Sequence, residues 1–307
     1  MSVLVTGGAG YIGSHVARML AMRGEHVVVL DDFTAGVSSR VAEHSVESLD
    51  LASTEAHSRL LEIFKNHSVT SVIHLAARKQ VGQSVEQPEW YFEQNIGGLA
   101  TLLKAMREAD VSRMVFSSSA AAYGMPEVEK VSETIECRPI NPYGQTKLIG
   151  EWMVENSARA WNLRATSLRY FNVAGAGWPE FADTAVANLV PIVFEAIRSG
   201  KNPKVFGTDY PTPDGTCVRD YIHVKDLADA HLKALDYLEQ DSRDHSVFNV
   251  GTGTGSSVLE VLAEVRKVSG VDFTADLLPR RAGDPPSLAA DVSRIEKTLG
   301  WKAQYGL

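Results

Sequence analysis

Tyr143 and Lys147 stand four residues apart in Tyr143-Gly144-Gln145-Thr146-Lys147. On a helix that spacing puts both side chains on one face. A tyrosine alone, with a pKa of about 10, is a poor base near neutrality. A lysine ammonium close by, joined by a positively charged pyridinium ring, favours the phenolate. Upstream, Ser117-Ser118-Ser119 ends an apolar run, and a hydroxyl such as that of Ser119 would hold the oxygen of an alcohol while its proton leaves. A bare Tyr-x-x-x-Lys is more often a packed tyrosine beside a solvated lysine. Two neighbours raise the chemical reading here: the serine cluster and a glycine turn at the start of the chain.

That turn reads Thr6-Gly7-Gly8-Ala9-Gly10-Tyr11-Ile12-Gly13. Its glycines fit either Gly8-x-Gly10-x-x-Gly13 or the wider Gly7-x-x-Gly10-x-x-Gly13. A tight turn needs residues without a Cβ, the backbone must approach a pyrophosphate, and a helix N-terminus offers free N–H groups to anionic oxygens. The glycines alone are weak evidence; their place between a strand and a helix supplies the context that the motif requires. Eighteen residues past Gly13, the next strand ends in Asp31. A carboxylate there accepts from ribose hydroxyls and repels a 2′-phosphate, which predicts NAD rather than NADP. Asp50-Leu51, after a third strand, is within reach of an adenine, although an aspartate at a strand end is more often simply exposed. Hydride carrier and proton carrier together are the equipment for oxidising and reducing an alcohol.

The elements that must position these groups alternate along the first half. Strands are expected at Val3-Leu4-Val5, Val27-Val28-Val29-Leu30, residues 71–75, 113–117 and 166–170, with helices over 11–23, 54–66, 88–109 and 142–160. Strands that are apolar on both faces and alternate with helices imply a parallel sheet covered on both sides. The fold class is therefore α/β, a doubly wound, Rossmann-like parallel sheet. After about residue 171 the pattern changes: Gly, Pro and Asp cluster, with helices at 184–199 and 256–269. These features predict a smaller, interleaved substrate domain. The expected division is 1–171 with 219–250 for the dinucleotide, and 172–218 with 251–307 for the substrate.

Composition excludes several classes. The chain has 307 residues, 44% apolar and 22% charged, with 30 Lys plus Arg against 38 Asp plus Glu, a net charge of −8. Such an acidic chain without a basic run is unsuited to nucleic acid. No apolar run approaches the ~20 residues that span a bilayer, so no membrane partner is expected. Two distant cysteines, Cys137 and Cys217, give no disulfide framework or zinc spacing, and no metal is expected. The N-terminal stretch has no basic leader or apolar core of a signal peptide. Together these features point to the cytoplasm.

The motifs carry a resemblance. Val3 to His15, Val115-Phe116-Ser117-Ser118-Ser119-Ala120, Asn141-Pro142-Tyr143-Gly144-Gln145-Thr146-Lys147, Leu168-Arg169-Tyr170-Phe171-Asn172 and residues 215–224 run through nearly the whole chain. The sequence resembles the extended short-chain dehydrogenase/reductase family, most closely its UDP-galactose 4-epimerase branch. The resemblance implies Tyr143 as catalytic base and acid, Ser119 as its partner, and Lys147 as the residue that binds the nicotinamide ribose and tunes Tyr143. It places Gly7, Gly10, Tyr11, Ile12, Asp31, Asp50, Leu51, Leu75, Ala76, Ala77, Lys79, Asn95, Ser117, Tyr143, Lys147 and Phe171 against NAD. It places Lys79, Ser119, Tyr143, Asn172, Asn188, Leu189, Val205, Phe206, Arg219, Arg281, Asp284 and Leu288 around a UDP-hexose. Arg219 and Arg281 make chemical sense as forks for a diphosphate.

The implied cycle is redox-neutral: the 4-hydroxyl loses its proton to Tyr143 and C4 its hydride to NAD, the 4-keto sugar rotates, and hydride returns to the opposite face. A dehydratase of the same family would carry an Asp-Glu pair after the serine strand, where this chain reads Ala120-Ala121-Ala122-Tyr123. A net dehydrogenase, another nucleotide-sugar epimerase or a decarboxylase stays open, as does a non-catalytic NAD-binding protein, though such relatives commonly lose the tyrosine or lysine. Downstream of Arg281-Ala282-Gly283-Asp284, Leu288 matches the position that gates the sugar 2-substituent, and is neither the bulky tyrosine associated with plain hexoses nor a small residue. The resemblance also implies a homodimer through the helices near 88–109 and 142–160, and a further helix past Leu307 in most members.

Overall fold

The computed structural model describes residues 1–240, 245–281 and 284–306. Ala282 and Gly283 of the motif quoted above, like 241–244 and Leu307 of the expected domains, lie outside the described residues.

Seven parallel strands form the main sheet: β1 (Ser2–Thr6), β2 (His26–Asp31), β3 (Ser45–Ser48), β4 (Ser71–His74), β5 (Arg113–Ser117), β7 (Arg164–Tyr170) and β11 (His245–Val250). Their order is β11-β7-β5-β4-β1-β2-β3. The chain winds outward from β1 through β2 and β3, then reverses through β4. The crevice between β1 and β4 is thus the topological switch point, where ligands of open α/β sheets bind. The central strands are buried on both faces, and their alternation sorts them. Val3, Val5, Val27 and Val29 pack on one side with α1 (Tyr11–Met22), α8 (Val224–Gln240) and α10 (Ser293–Leu299). Leu4, Val28 and Leu30 pack on the other with α2 (Ala56–Asn66), α5 (Gly98–Glu108) and α6 (Pro142–Trp161). That is the period-2 geometry of a strand between two helical layers.

A second sheet has the order β12-β10-β14-β6, with β8 (Asn172–Ala174) also pairing β10. It joins β6 (Lys130–Val131), β10 (Val218–His223), β12 (Gly255–Ser257) and β14 (Ser287–Ala290). Two further short strands, β9 (Lys204–Phe206) and β13 (Asp276–Leu278), pair with each other. Beside them Val193 of α7 (Leu189–Arg198) and Val261, Leu262 and Val265 of α9 (Val258–Ser269) form a smaller core with Val205 and Tyr221.

Three local differences from the sequence reading stand out. The stretch expected as one helix over 88–109 is α4 (Pro88–Phe92), a π-helical turn over Glu93–Gly97, and α5. Another short helix, α3 (Val81–Glu86), precedes it. The helix expected at 184–199 begins only at Leu189, with Asn188 in extended conformation at its N-cap and its side chain donating to Asp183.

Candidate active site

The glycine turn is built for a close approach. Gly7 has φ of +70°, and a Cβ there would come within 2.6 Å of the Ala76 nitrogen. A Cβ on Gly13 would drive into the Gly7 carbonyl oxygen. The β1–α1 turn is therefore packed against the β4 exit, with Leu75 and Ala76 beside it, as a cradle that only glycine permits. Asp31, only 6% exposed, ties this turn to β2: its carboxylate accepts from the Ala9 N–H (3.0 Å) and the Phe33 N–H (2.9 Å). Burial pushes its pKa up and those two hydrogen bonds pull it back. The cradle left by Gly7 and Gly13, the open helix N-terminus at Tyr11 and Ile12, and the carboxylate at the end of β2 fit a dinucleotide.

The cofactor side also includes a residue that sequence reasoning missed. Arg78 bridges from the β4 exit to the loop after β2. Its guanidinium meets Asp32 at 2.5 Å, also bonds Thr34 and Gln94, and lies 5.0 Å over the Trp90 ring. Lys79 is exposed. The Arg78 backbone is clasped by Asn95, whose Oδ1 accepts from its N–H and whose Nδ2 donates to its carbonyl. Asn95 sits in the π turn and also donates to Thr146 Oγ1 at 3.0 Å, so the irregular turn docks α6 onto this edge. Asp50 is half-buried and accepts from the Ala52 N–H and Gln94. Leu51 lies buried against Gly98. Ala77 is half-buried at the β4 exit.

The proton-handling group assembles where β5 ends and α6 begins. Pro142 occupies the first turn of α6, and Asn141 caps it by accepting from the Gly144 N–H at 2.8 Å. This fixes the start of the helix, so Tyr143 and Lys147 both face the sheet, 8% and 4% exposed. Lys147 Nζ donates to the Ser117 carbonyl at 2.8 Å and lies 5.9 Å from the Tyr143 ring centre. Ser117 Oγ meets His231 Nε2 at 2.7 Å, while His231 Nδ1 donates to the Leu227 carbonyl, which leaves Nε2 as the acceptor. Ser119 hydrogen-bonds Tyr143.

Electrostatically the pair differs from the sequence expectation. Burial pushes the Tyr143 phenol up, the Ser119 bond opposes it, and Tyr91 adds to the rise. Burial also drives Lys147 down to about 8. Desolvation outweighs the Ser119 bond, and Tyr143 is held as the neutral phenol.

On the far side of the crevice, the sugar-side residues gather around two arginines. Arg219 on β10 donates to the Val218 and Pro285 carbonyls (both 2.8 Å) and lies 3.5 Å from Asp284. Arg281 donates to Asp284 at 2.9 Å and lies 4.7 Å over the Phe206 ring. Val205 is buried and Leu189 packs with it. Asn172 is exposed at the start of β8, next to buried Phe171. Phe171 packs with Ala120, Tyr123 and Leu288. Among the described residues no cluster of metal-ligating side chains forms, and no helix is long and apolar enough to cross a membrane.

The arrangement joins a dinucleotide cradle, an acid–base pair beside it and a cationic pair across from it. Residues 3–251 match the family described as NAD dependent epimerase/dehydratase. The chain is 44% identical to a UDP-glucose 4-epimerase of Halalkalibacterium halodurans, over 99% of this chain and 91% of that one. Its fold is similar to the crystal structure of UDP-glucose 4-epimerase from Brucella ovis in complex with NAD (TM-score 0.94, 40% identity, 100% of this chain and 94% of that one). It is likewise similar to the enzyme from Stenotrophomonas maltophila with bound NAD and formylated UDP-arabinopyranose (TM-score 0.95, 38% identity, 100% and 94%).

Proposed function

The chain belongs to the NAD dependent epimerase/dehydratase family, and from that premise we propose that it is an isomerase that interconverts UDP-galactose and UDP-glucose by transient oxidation at C4. One observation carries this reading: Ser119, at the exit of β5, gathers with buried Tyr143 and Lys147 of α6 beside the β4 and β1 ends of the sheet, in a chain similar from end to end to UDP-glucose 4-epimerases. Bound NAD supplies the hydride acceptor, the returned hydride and a positive charge.

Tyr143 Oη takes the proton of the sugar 4-hydroxyl and gives it back to the same oxygen after the sugar has turned. Ser119 orients that hydroxyl. Lys147 holds the nicotinamide ribose and opposes the burial that keeps Tyr143 neutral. Gly7, Gly10, Tyr11, Ile12, Asp31, Asp50, Leu51, Leu75, Ala76, Ala77, Lys79, Asn95, Ser117 and Phe171 line the cofactor. Asn172, Asn188, Leu189, Val205, Phe206, Arg219, Arg281 and Asp284 hold the UDP portion firmly, leaving the hexose free to turn. Leu288 limits the 2-substituent.

Two parts divide the work: 1–171 with 219–250 binds the dinucleotide, and 172–218 with 251–307 binds the sugar nucleotide. A homodimer through α5 and α6 is supported by a groove of about 470 Å³ between them, lined by Leu103, Met153 and Trp161, and by Trp152, 53% exposed. Free Cys137 and Cys217 accord with the cytoplasm.

The test is incubation with UDP-galactose and no added NAD. Appearance of UDP-glucose supports the reading, whereas net NADH release or no turnover overturns it. Tyr143→Phe is expected to keep bound NAD by absorbance and lose roughly 10²–10⁴ in kcat. Near-wild-type turnover would remove Tyr143 from its role.

A further inference from the structure

Glu151 lies one turn beyond Lys147 on α6, 4% exposed. Both its oxygens are engaged. Oε1 accepts from Arg169 Nε at 2.9 Å and from the Ser118 hydroxyl in a very short bond, and Oε2 accepts from Arg169 Nη2 at 2.6 Å. Arg169, on β7, is 6% exposed and stacks 4.7 Å over the Tyr123 ring. A buried ion pair of this kind is weak evidence for stability, because desolvation offsets the attraction and apolar replacements are often neutral or better. Its position suggests another purpose. Ser118, the residue it grips, lies between Ser117, whose carbonyl accepts from Lys147, and Ser119, whose hydroxyl bonds Tyr143.

We propose that Glu151, braced by Arg169, is a positioning residue for proton transfer: it fixes the Ser117–Ser119 strand end against α6 so that Ser119 meets Tyr143, and its charge keeps Lys147 an ammonium in a buried place. The proposal rests on the proton roles given above to Tyr143 and Lys147.

The surroundings of Lys147 support it. From its own helix Lys147 faces Tyr143 and Glu151. From β5 it faces the Phe116 ring at 5.4 Å and the Ser117 carbonyl. From β4 it faces His74, held neutral with a pKa down at about 3 by burial first and by Lys147 second. Burial lowers Lys147 to about 8, and the charge that opposes this is Glu151. Glu151 in turn faces Arg169 from β7, His245 from β11 and Cys137 from the loop before α6; burial lowers His245 and raises Cys137, and the Glu151 charge pushes both upward.

Three variants test the proposal, with kcat, KM and urea unfolding followed against pH. In Glu151→Gln the alkaline limb of kcat is expected about one unit lower, the scale of removing an opposite charge within ~6 Å, with KM within about twofold. The unfolding readout needs no turnover. A lysine whose folded pKa is depressed leaves the unfolded chain holding more protons, so stability rises with pH from the folded pKa upward. That rise is expected to begin about one unit lower in Glu151→Gln. Glu151→Asp keeps the charge and is expected to restore both profiles at reduced kcat. Ser118→Ala keeps the ion pair and is expected to lower kcat about tenfold with the limb unmoved.

A folded Glu151→Gln with both wild-type pH profiles, or Ser118→Ala with wild-type kcat, overturns the proposal. If Glu151→Gln does not fold, Ser118→Ala decides it: wild-type kcat refutes it, and lost kcat at retained KM supports it. Absence of wild-type epimerisation would instead sink the reading it rests on, and the unfolding profiles would still report on Lys147.

Discussion

The two walls of the crevice are made differently. On the cofactor wall, positions are set by backbone and by buried hydrogen bonds: the Gly7–Gly13 turn packed on Ala76, Asp31 held by two amides, Lys147 on a carbonyl. On the sugar wall, short strands carry half-exposed side chains, and two arginines are held by one aspartate. The first kind of site is complete before a ligand arrives and costs no rearrangement. The second can exchange an intramolecular partner for a ligand oxygen, since a carboxylate and a phosphate offer an arginine the same bidentate geometry. A cofactor that stays bound through every turnover, as the proposed cycle requires, suits the first wall. A nucleotide that must enter and leave, with a hexose that must turn over, suits the second.

The comparison can be broken most severely at Gly13. Gly13→Ala is expected to yield protein without bound NAD and with stability lower by about 2 kcal/mol or more, as backbone rather than side chain must move. Gly97→Ala, with nothing within 4 Å of its Cβ, serves as the tolerated control. Retention of NAD by Gly13→Ala would mean that the cradle is not rigid. On the other wall, Arg281→Ala is expected to raise KM for UDP-galactose roughly tenfold, with kcat within about twofold and NAD retained. A loss of NAD instead would mean that the two walls are not independent.

A smaller effect concerns acid. His74, His231 and His15 on the cofactor side are lowered to about 3, 4 and 4, in each case by burial first. Unfolded histidine binds its proton near 6.5, so the unfolded chain holds more protons from there down to about 4. The stability these groups contribute is complete above 6.5 and is lost as pH falls through that window. The urea midpoint is expected to drop between pH 6.5 and 4, and to drop less in His231→Gln. An equal drop in that variant would assign the titration elsewhere.

Much of this was legible in the chain. The doubly wound sheet follows from apolar runs that alternate with helices, and the start of α6 from Asn141-Pro142, because both signals are local. The Arg78 bridge to Asp32 and Gln94 was not legible, because where a side chain reaches depends on how the β4 exit bends. The π turn at 93–97 has no composition of its own; it exists to seat Asn95 between Arg78 and α6. Likewise, β6 reads as part of the first half yet pairs with Ala289 and Ala290.

By itself, then, the order of residues determined the glycine turn, the tyrosine–lysine spacing and the parallel sheet, since each depends on contacts within a few positions or on a repeating pattern. Only the tertiary structure decided that Glu151 meets Arg169 across 18 residues, that His231 sits beneath Ser117, and that burial raises the Tyr143 phenol against the Ser119 bond. Those outcomes depend on which surfaces are stripped of water when distant segments pack, and desolvation is a property of the assembled interior that no single stretch of sequence carries.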